Sequence, residues 1–201
     1  MRVQKKDSGF TYILFAPAPV VYIPDKLKTE EDIMELVKVI EAFVKELEWN
    51  DEVELDPETG DSALGTNMEI RNQIFDLYID GRQEQETLAL HLYPPFNVIE
   101  GKSMDAVLLC NYINDHYSYQ GRLTLTDGGR IRYREVLDSE DIEPAPAILH
   151  NMLSSGVSLF KAHIEQIAAV ALTRKSYESV REEYDKKEEI EKSRRDREEN
   201  P

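Results

Sequence analysis

The sequence has little of several features that would indicate a particular chemistry or compartment. Among 201 residues it has one cysteine, Cys110, so no intramolecular disulfide can form, and its four histidines are too scattered to suggest a zinc site. Pro17, Pro19 and Pro24 interrupt the first hydrophobic run, which leaves no stretch of signal-peptide or membrane-span length. These absences favour a cytoplasmic protein, and the length suits one main domain with a tail.

Positive charge is also scarce over most of the chain. The net charge is -16, and residues 174–201 carry nine Lys/Arg against ten Asp/Glu, which leaves fifteen against thirty on residues 1–173. A body this acidic is repelled by nucleic acid and by anionic lipid, so neither is an expected partner. The charge suits solubility or a basic protein partner.

Known catalytic motifs are missing. Gly101-Lys102-Ser103 resembles the end of a phosphate-binding loop, but the position that requires the first glycine holds Phe96. Ser103 therefore reads as an ordinary helix cap, and no nucleophile elbow or dinucleotide fingerprint occurs elsewhere. No catalytic residue and no cofactor is predicted.

Two acidic clusters leave one enzymatic alternative open, a metal-dependent enzyme that uses an acidic loop. Their members are Asp51, Glu52, Glu54, Asp56, Glu58 and Asp61 in the first cluster and Glu135, Asp138, Glu140, Asp141 and Glu143 in the second. Neither has the spacing of a calcium loop, so solvated loops are the simpler interpretation, and no metal ligand is predicted. Cys110 shares a helical face with apolar residues and is predicted to lie in the core.

The N-terminal 28 residues read as an extended segment, with short strands at Phe10–Phe15 and Val20–Ile23. Apolar residues then recur at helical spacing over residues 29–48, with Thr29 as the N-cap. Residues 50–67 read as a loop or a hairpin tip, with at most a short strand at 53–55.

Four further strands and two further helices are predicted. Residues 70–79 and 87–93 alternate as strands and form an antiparallel hairpin joined by the turn-forming Asp80-Gly81 and the polar stretch after it. Ser103 begins a helix that ends at 114–116, and 119–126 pairs with 130–136 around Asp127-Gly128-Gly129. A long apolar helix starts near Pro146, and residues 174–201 form a charged helical or disordered tail.

The predicted fold class is therefore α+β, with an antiparallel sheet of about five strands flanked by three amphipathic helices. The domain covers residues 29–173.

Tyrosine is the least ordinary feature of the composition. Six tyrosines lie on or beside the hairpins and the middle helix, and tyrosine supplies amphipathic contact area of the kind found at interfaces. Packing against the sheet is the alternative role. Tyr78 belongs to this set, and the five residues predicted to bind a partner are Tyr93, Tyr112, Tyr117, Tyr119 and Tyr133.

The order of elements and several short motifs resemble the YbjN family. The motifs are Leu-Ala-Leu-His-Leu-Tyr-Pro-Pro-Phe from Leu88, Leu-Cys-Asn-Tyr-Ile-Asn from Leu109, Gly-Arg-Leu from Gly121, Asp-Gly-Gly-Arg-Ile-Arg-Tyr-Arg from Asp127, and Ala-Ile-Leu from Ala147. The resemblance covers about residues 30–172. It implies a fold like that of type III secretion chaperones, a regulatory role of the sensory transduction kind, no catalytic residues, and a protein or peptide partner.

We therefore expect a non-enzymatic, chaperone-like protein-binding or regulatory module of unknown pathway. Homodimerisation through the middle helix or the sheet is a further expectation. The metal-dependent enzyme remains the alternative, and a nucleic-acid regulator is disfavoured because the body lacks a basic face.

Overall fold

The computed structural model describes residues 36–140, 142 and 144–199. The elements are α1 (Leu36–Glu46), β1 (Glu54–Leu55), β2 (Ser62–Ile70), β3 (Gln73–Arg82), β4 (Thr87–Tyr93), α2 (Ser103–His116), β5 (Arg122–Leu125), β6 (Ile131–Asp138), α3 (Pro146–Leu172) and α4 (Tyr177–Glu199). The strands predicted at 10–15 and 20–23, and the predicted cap Thr29, lie outside the described residues. None of the helices described here has the length and apolar character needed to cross a membrane.

The strands form one antiparallel sheet in the order β1-β2-β3-β4-β6-β5. The α+β class is confirmed, with six strands in the described part rather than about five and with four helices rather than three. On β3 the inward side chains of Phe75, Leu77 and Ile79 are fully buried, whereas Tyr78 between them is exposed. Helices α1, α2 and α3 all contact the sheet, and their apolar side chains join the same core as the inward face of the strands.

Helix α3 supplies the largest share of the helical side of that core. It starts with Pro146, whose fixed φ and missing N–H suit the first turn. Its buried stripe includes Gly156, where an added Cβ would lie 2.8 Å from the ring of Tyr133. The Tyr133 ring therefore occupies the space that a side chain at position 156 would need.

The structure corrects the prediction for residues 62–70. Residues 62–67 are not a loop, because β2 begins at Ser62 and pairs with β3 along its whole length. Arg71 and Asn72 form a two-residue turn with φ of 50° and 60°, as a primed hairpin turn requires. Gly65 and Asn67 have low strand propensity, so the strand signal was absent until the pairing with β3 was visible.

The turn predicted at Asp80-Gly81 is also wrong. Both residues lie inside β3, where they pair with Ala89 and Leu88 of β4, and the chain reverses between Gln83 and Glu86. Gly81 is used for close packing, since an added Cβ would lie 2.5 Å from the Ser62 hydroxyl. The hairpin itself is confirmed.

The hairpin of β5 and β6 around Asp127-Gly128-Gly129 is confirmed, with Gly129 at a φ of 75°. β5 forms one edge of the sheet, and the Asn114 side chain of α2 occupies that edge. Its Nδ2 donates to the Leu123 carbonyl at 2.9 Å and its Oδ1 accepts the Leu123 N–H at 2.8 Å. At the other edge β1 pairs only with Ser62 and Ala63, and no other described strand pairs with the outer edge of β2.

The charged C-terminal segment is helical from Tyr177 onward. Its first two turns pack on α2 and α3 and bury Val180 and Tyr184, within the segment predicted as a charged helical or disordered tail. The described side chains beyond Tyr184 are exposed. The helix therefore has an anchored beginning and a solvated remainder.

Candidate protein-binding surfaces

The Gly101-Lys102-Ser103 turn serves the fold and not a phosphate. Gly101 adopts a φ of 79°, and Lys102 precedes the first helical residue of α2. The Lys102 ammonium bonds the Asp105 carboxylate at 2.5 Å and the Lys175 carbonyl at 2.7 Å. The other carboxylate oxygen of Asp105 accepts the N–H of Tyr177 at 2.9 Å, so this turn ties α2 to the start of α4.

The described residues include no group of three or more His, Cys, Asp or Glu side chains placed to hold a metal ion. The first acidic loop is organised internally instead: Asp56 accepts the N–H of Glu58, and Asp61 pairs with Arg82 at 2.7 Å. His91 on the outer sheet face lies 3.1 Å from Asp80. Asp141 and Glu143 of the second cluster lie outside the described residues.

Cys110 is buried, as predicted, and burial raises the pKa of its thiol to about 12. A thiol with so high a pKa is protonated at neutral pH and is a poor nucleophile. This cysteine serves packing.

The structure separates the five tyrosines of the predicted site. Tyr133 is fully buried in the core, where it donates to Glu135 at 2.5 Å and accepts the Gly121 N–H at 3.0 Å. Burial raises the pKa of its phenol. Tyr133 has no exposed surface for a partner, so its placement corrects its inclusion in the predicted site.

Tyr93 lies apart from the others, on the outer face of the sheet. The Arg130 guanidinium lies over its ring at 4.4 Å, and the same guanidinium pairs with Asp76 at 2.6 Å. Tyr78 meets Tyr93 edge-on, with 5.8 Å between the ring centroids. A shallow cleft next to them is lined by Asp76, Pro95, Phe96, Asn97 and Arg130.

Tyr112, Tyr117 and Tyr119 do come together, around His163 of α3 and Tyr184 of α4. The ring of Tyr117 lies 4.5 Å from that of His163, and Tyr112 lies 5.4 Å from Tyr184. We call the recess formed by Tyr112, Tyr117, Tyr119 and His163 the aromatic groove. In this structure the first two turns of α4 occupy it.

His163 provides polar contacts on both sides of the groove. Its Nδ1 lies 2.8 Å from the Tyr184 hydroxyl, and its Nε2 lies 3.2 Å from the Tyr119 hydroxyl. A neutral imidazole has one donor and one acceptor nitrogen, so both contacts are satisfied without charge. Burial, and to a smaller degree the nearby Lys187, lower the His163 pKa from 6.5 to about 4.

A second surface was missed by the sequence prediction. Met104, Val107 and Leu108 lie on the side of α2 that faces away from its buried residues, and their exposed fractions are 71%, 44% and 39%. We call this set the α2 stripe. Its i, i+3, i+4 spacing is visible in the sequence, but the buried face of the same helix, with Ala106 and Leu109, has the same apolar periodicity.

No protein-family model matches this sequence, and no curated protein matches it either. Similar solved structures include the HopA1-SchA chaperone-effector complex, with a TM-score of 0.48 and 15% identity over 68% of this chain and 98% of that one. The ExsC-ExsE complex has a TM-score of 0.42 and 12% identity, over 63% and 91% of the two chains. The Yersinia pestis type III secretion chaperone SycH, in complex with a fragment of YscM2, has a TM-score of 0.38 and 16% identity, over 67% and 98%.

Proposed function

We propose that this chain is a non-enzymatic, chaperone-like module that binds another polypeptide through the α2 stripe. The observation that carries the proposal is the exposure of Met104, Val107 and Leu108 together on one helical face. Single exposed apolar side chains are common, whereas a contiguous exposed apolar patch marks an interaction surface. Methionine also adapts its shape to varied partners, and Met104 is the most exposed member.

The surroundings of the stripe define the partner's chemistry. Asp115 lies further along the same side of α2 and is exposed, and the whole body of the protein is acidic. A polypeptide with apolar side chains next to basic ones would satisfy both the stripe and its acidic surroundings. A second copy of this acidic chain would meet like charge, so a homodimer is the alternative occupant and not the first.

More specifically, we propose a regulatory role in the cytoplasm, like that described for the YbjN family. It is supported by the motifs within residues 87–172 and by the protein-binding character of the stripe. Of the five predicted tyrosines, Tyr112, Tyr117 and Tyr119 border a separate groove, Tyr93 is a proposed contact on the outer sheet face, and Tyr133 lies in the core.

The test compares a doubly charged stripe with a charged control. Met104→Glu combined with Leu108→Glu places two carboxylates in the stripe, whereas Ile190→Glu changes an equally accessible apolar residue on α4, 61% exposed. Immobilised wild type and control are expected to retain the same lysate proteins at low salt, and the double variant is expected to lose them. Retained proteins should release as salt rises, because the charge contribution is screened.

Light scattering of the three purified proteins identifies the occupant. Monomeric wild type with stripe-dependent retention supports a foreign partner. A wild-type dimer that the double variant converts to monomer assigns the stripe to self-association. If wild type, the control and the double variant all retain the same proteins, the proposal is refuted.

A further inference from the structure

Helix α4 is attached by an unusually small apolar surface for its length. Among the α4 residues whose burial is described, 177–190 and 192–196, only Val180 and Tyr184 are buried, and Tyr177 is half-buried. These three residues have i, i+3 and i+7 spacing, which places them on one helical face. This is the spacing by which an amphipathic helix binds a groove on another protein.

The contacts of these three residues are concentrated in the aromatic groove. The Tyr184 ring lies 5.4 Å from Tyr112 and 6.2 Å from Tyr117, and its hydroxyl bonds His163. Tyr177 meets Tyr112 from the preceding turns of α4 at 6.3 Å. The groove therefore holds a helix by aromatic contact and one buried hydrogen bond.

One group in the groove is left without a partner by this arrangement. The Tyr112 hydroxyl is buried, with the residue only 5% exposed, and it makes no hydrogen bond to any residue that the structure describes. An unsatisfied buried polar group costs about 1–3 kcal/mol. Helix α4 thus fills the groove without satisfying all of its polar groups.

Outside the groove, the polar contacts of α4 are at its beginning, where Lys102 bonds the Lys175 carbonyl and Asp105 accepts the Tyr177 N–H. Residues 173–176 connect α3 to α4, and the Lys175–Glu183 ion pair, at 2.6 Å, is partly exposed on both sides. Exposed ion pairs contribute little to stability. A short connection keeps α4 close to the groove at high effective concentration even when its own affinity is modest.

We infer that the aromatic groove is a binding site for an amphipathic helix of a second polypeptide, and that α4 is its intramolecular occupant. The partner helix carries two aromatic side chains and one aliphatic side chain at the spacing of Tyr177, Val180 and Tyr184. It also presents a polar side chain to the Tyr112 hydroxyl. This surface is distinct from the α2 stripe, so the inference stands whether or not the proposed function does.

The experiment asks whether the groove of the full-length chain accepts a helix once its own is released. The probe is a fluorescein-labelled peptide of residues 174–199, and binding is followed by anisotropy. Val180→Asp places a charge at a fully buried anchor and should release α4 from the groove. The matched control is Ile190→Asp, because that residue lies on the solvated part of the same helix.

We expect wild type and control to bind the peptide weakly and the Val180→Asp chain to bind it at least about tenfold more tightly, because an occupied site has a reduced apparent affinity. The same peptide with Val180→Asp should not bind. Tyr184→Ala is the second releasing variant, used alongside the first, and circular dichroism checks that each chain is folded. The Met104→Glu, Leu108→Glu chain should behave as wild type.

A second peptide tests the foreign partner. It keeps only the three anchors at their spacing, within an otherwise unrelated helical sequence. Binding of this peptide to the released chains shows that the groove recognises the anchor pattern. If folded Val180→Asp and Tyr184→Ala chains bind the α4 peptide no more tightly than wild type, or if they reject the anchor-only peptide, the inference is overturned.

Discussion

Helices α3 and α4 follow each other in the chain and are similar in length, yet they relate to the fold in opposite ways. Eleven of the 27 residues of α3 are buried, on one continuous stripe, whereas α4 buries two of the 19 residues whose burial is described. Burial of apolar area is the main source of folding free energy. α3 is therefore part of the core, whereas α4 packs on the surface of a domain whose core is formed mainly by the other elements.

The two helices also differ in their tyrosine contacts. Gly156 of α3 leaves space for the ring of Tyr133, which has no exposed surface. The hydroxyl of Tyr133 bonds Glu135 and the Gly121 N–H, both within the domain. Tyr184 of α4 enters a recess lined by other phenols and by His163, and it leaves the Tyr112 hydroxyl unpaired.

The largest predicted loss of stability follows from a substitution at Gly156. Gly156→Val places methyl groups in the space of the Tyr133 ring, and overpacking of this kind costs about 3 kcal/mol. The control is Gly128→Ala in the β5–β6 turn, where the nearest atom to an added Cβ is 3.9 Å away. Urea denaturation of both variants checks the difference, and an equal midpoint would contradict the tight packing of α3.

The second prediction concerns pH. Since the folded-state pKa of His163 is about 4, below its ordinary 6.5, the unfolded chain takes up the proton first as pH falls. The free energy of unfolding is therefore highest above pH 6.5 and falls towards pH 4. Between pH 7 and pH 5 the loss is about 2 kcal/mol. Urea unfolding at both pH values measures this loss, and His163→Gln should flatten it. An unchanged slope in that variant would assign the pH dependence elsewhere.

The smallest effects come from a matched pair of hydroxyl deletions in the groove. Tyr184→Phe removes the hydrogen bond to His163 and should lower stability by about 1 kcal/mol. Tyr112→Phe removes a hydroxyl that has no partner and should be neutral or stabilising. Thermal denaturation distinguishes the two, and a clear loss with Tyr112→Phe would show that its hydroxyl is satisfied after all.

Periodicity made most of the fold predictable. β4 lies at the predicted residues, and α3 follows its apolar stripe from Pro146, because burial on one face leaves a regular pattern in the sequence. β2 escaped prediction because its strand state depends on pairing with β3 and not on its own residues. The Arg71-Asn72 turn escaped too, since Arg-Asn lacks the glycine that usually indicates a primed turn.

The candidate surfaces were less predictable. Composition alone identified tyrosine, but it did not distinguish Tyr133 in the core from Tyr117 and Tyr119 beside the groove. That distinction depends on which helix packs where. The occupation of the groove by Tyr184 was hidden within a segment whose dense charge indicated solvent exposure, because two anchors among many charged residues leave little hydrophobic signal.

The Asn114 contact at Leu123 has a consequence for assembly. Open sheet edges let copies of a protein join strand to strand, and an endless array needs an open edge on both sides of each copy. Here the Asn114 side chain of α2 bonds the N–H and the carbonyl of Leu123 on the β5 edge. On the other side, no described strand pairs with the outer edge of β2 beyond Ala63. An added strand is therefore blocked at Leu123 on the β5 edge, whereas the described strands leave the backbone groups of β2 beyond Ala63 open to one.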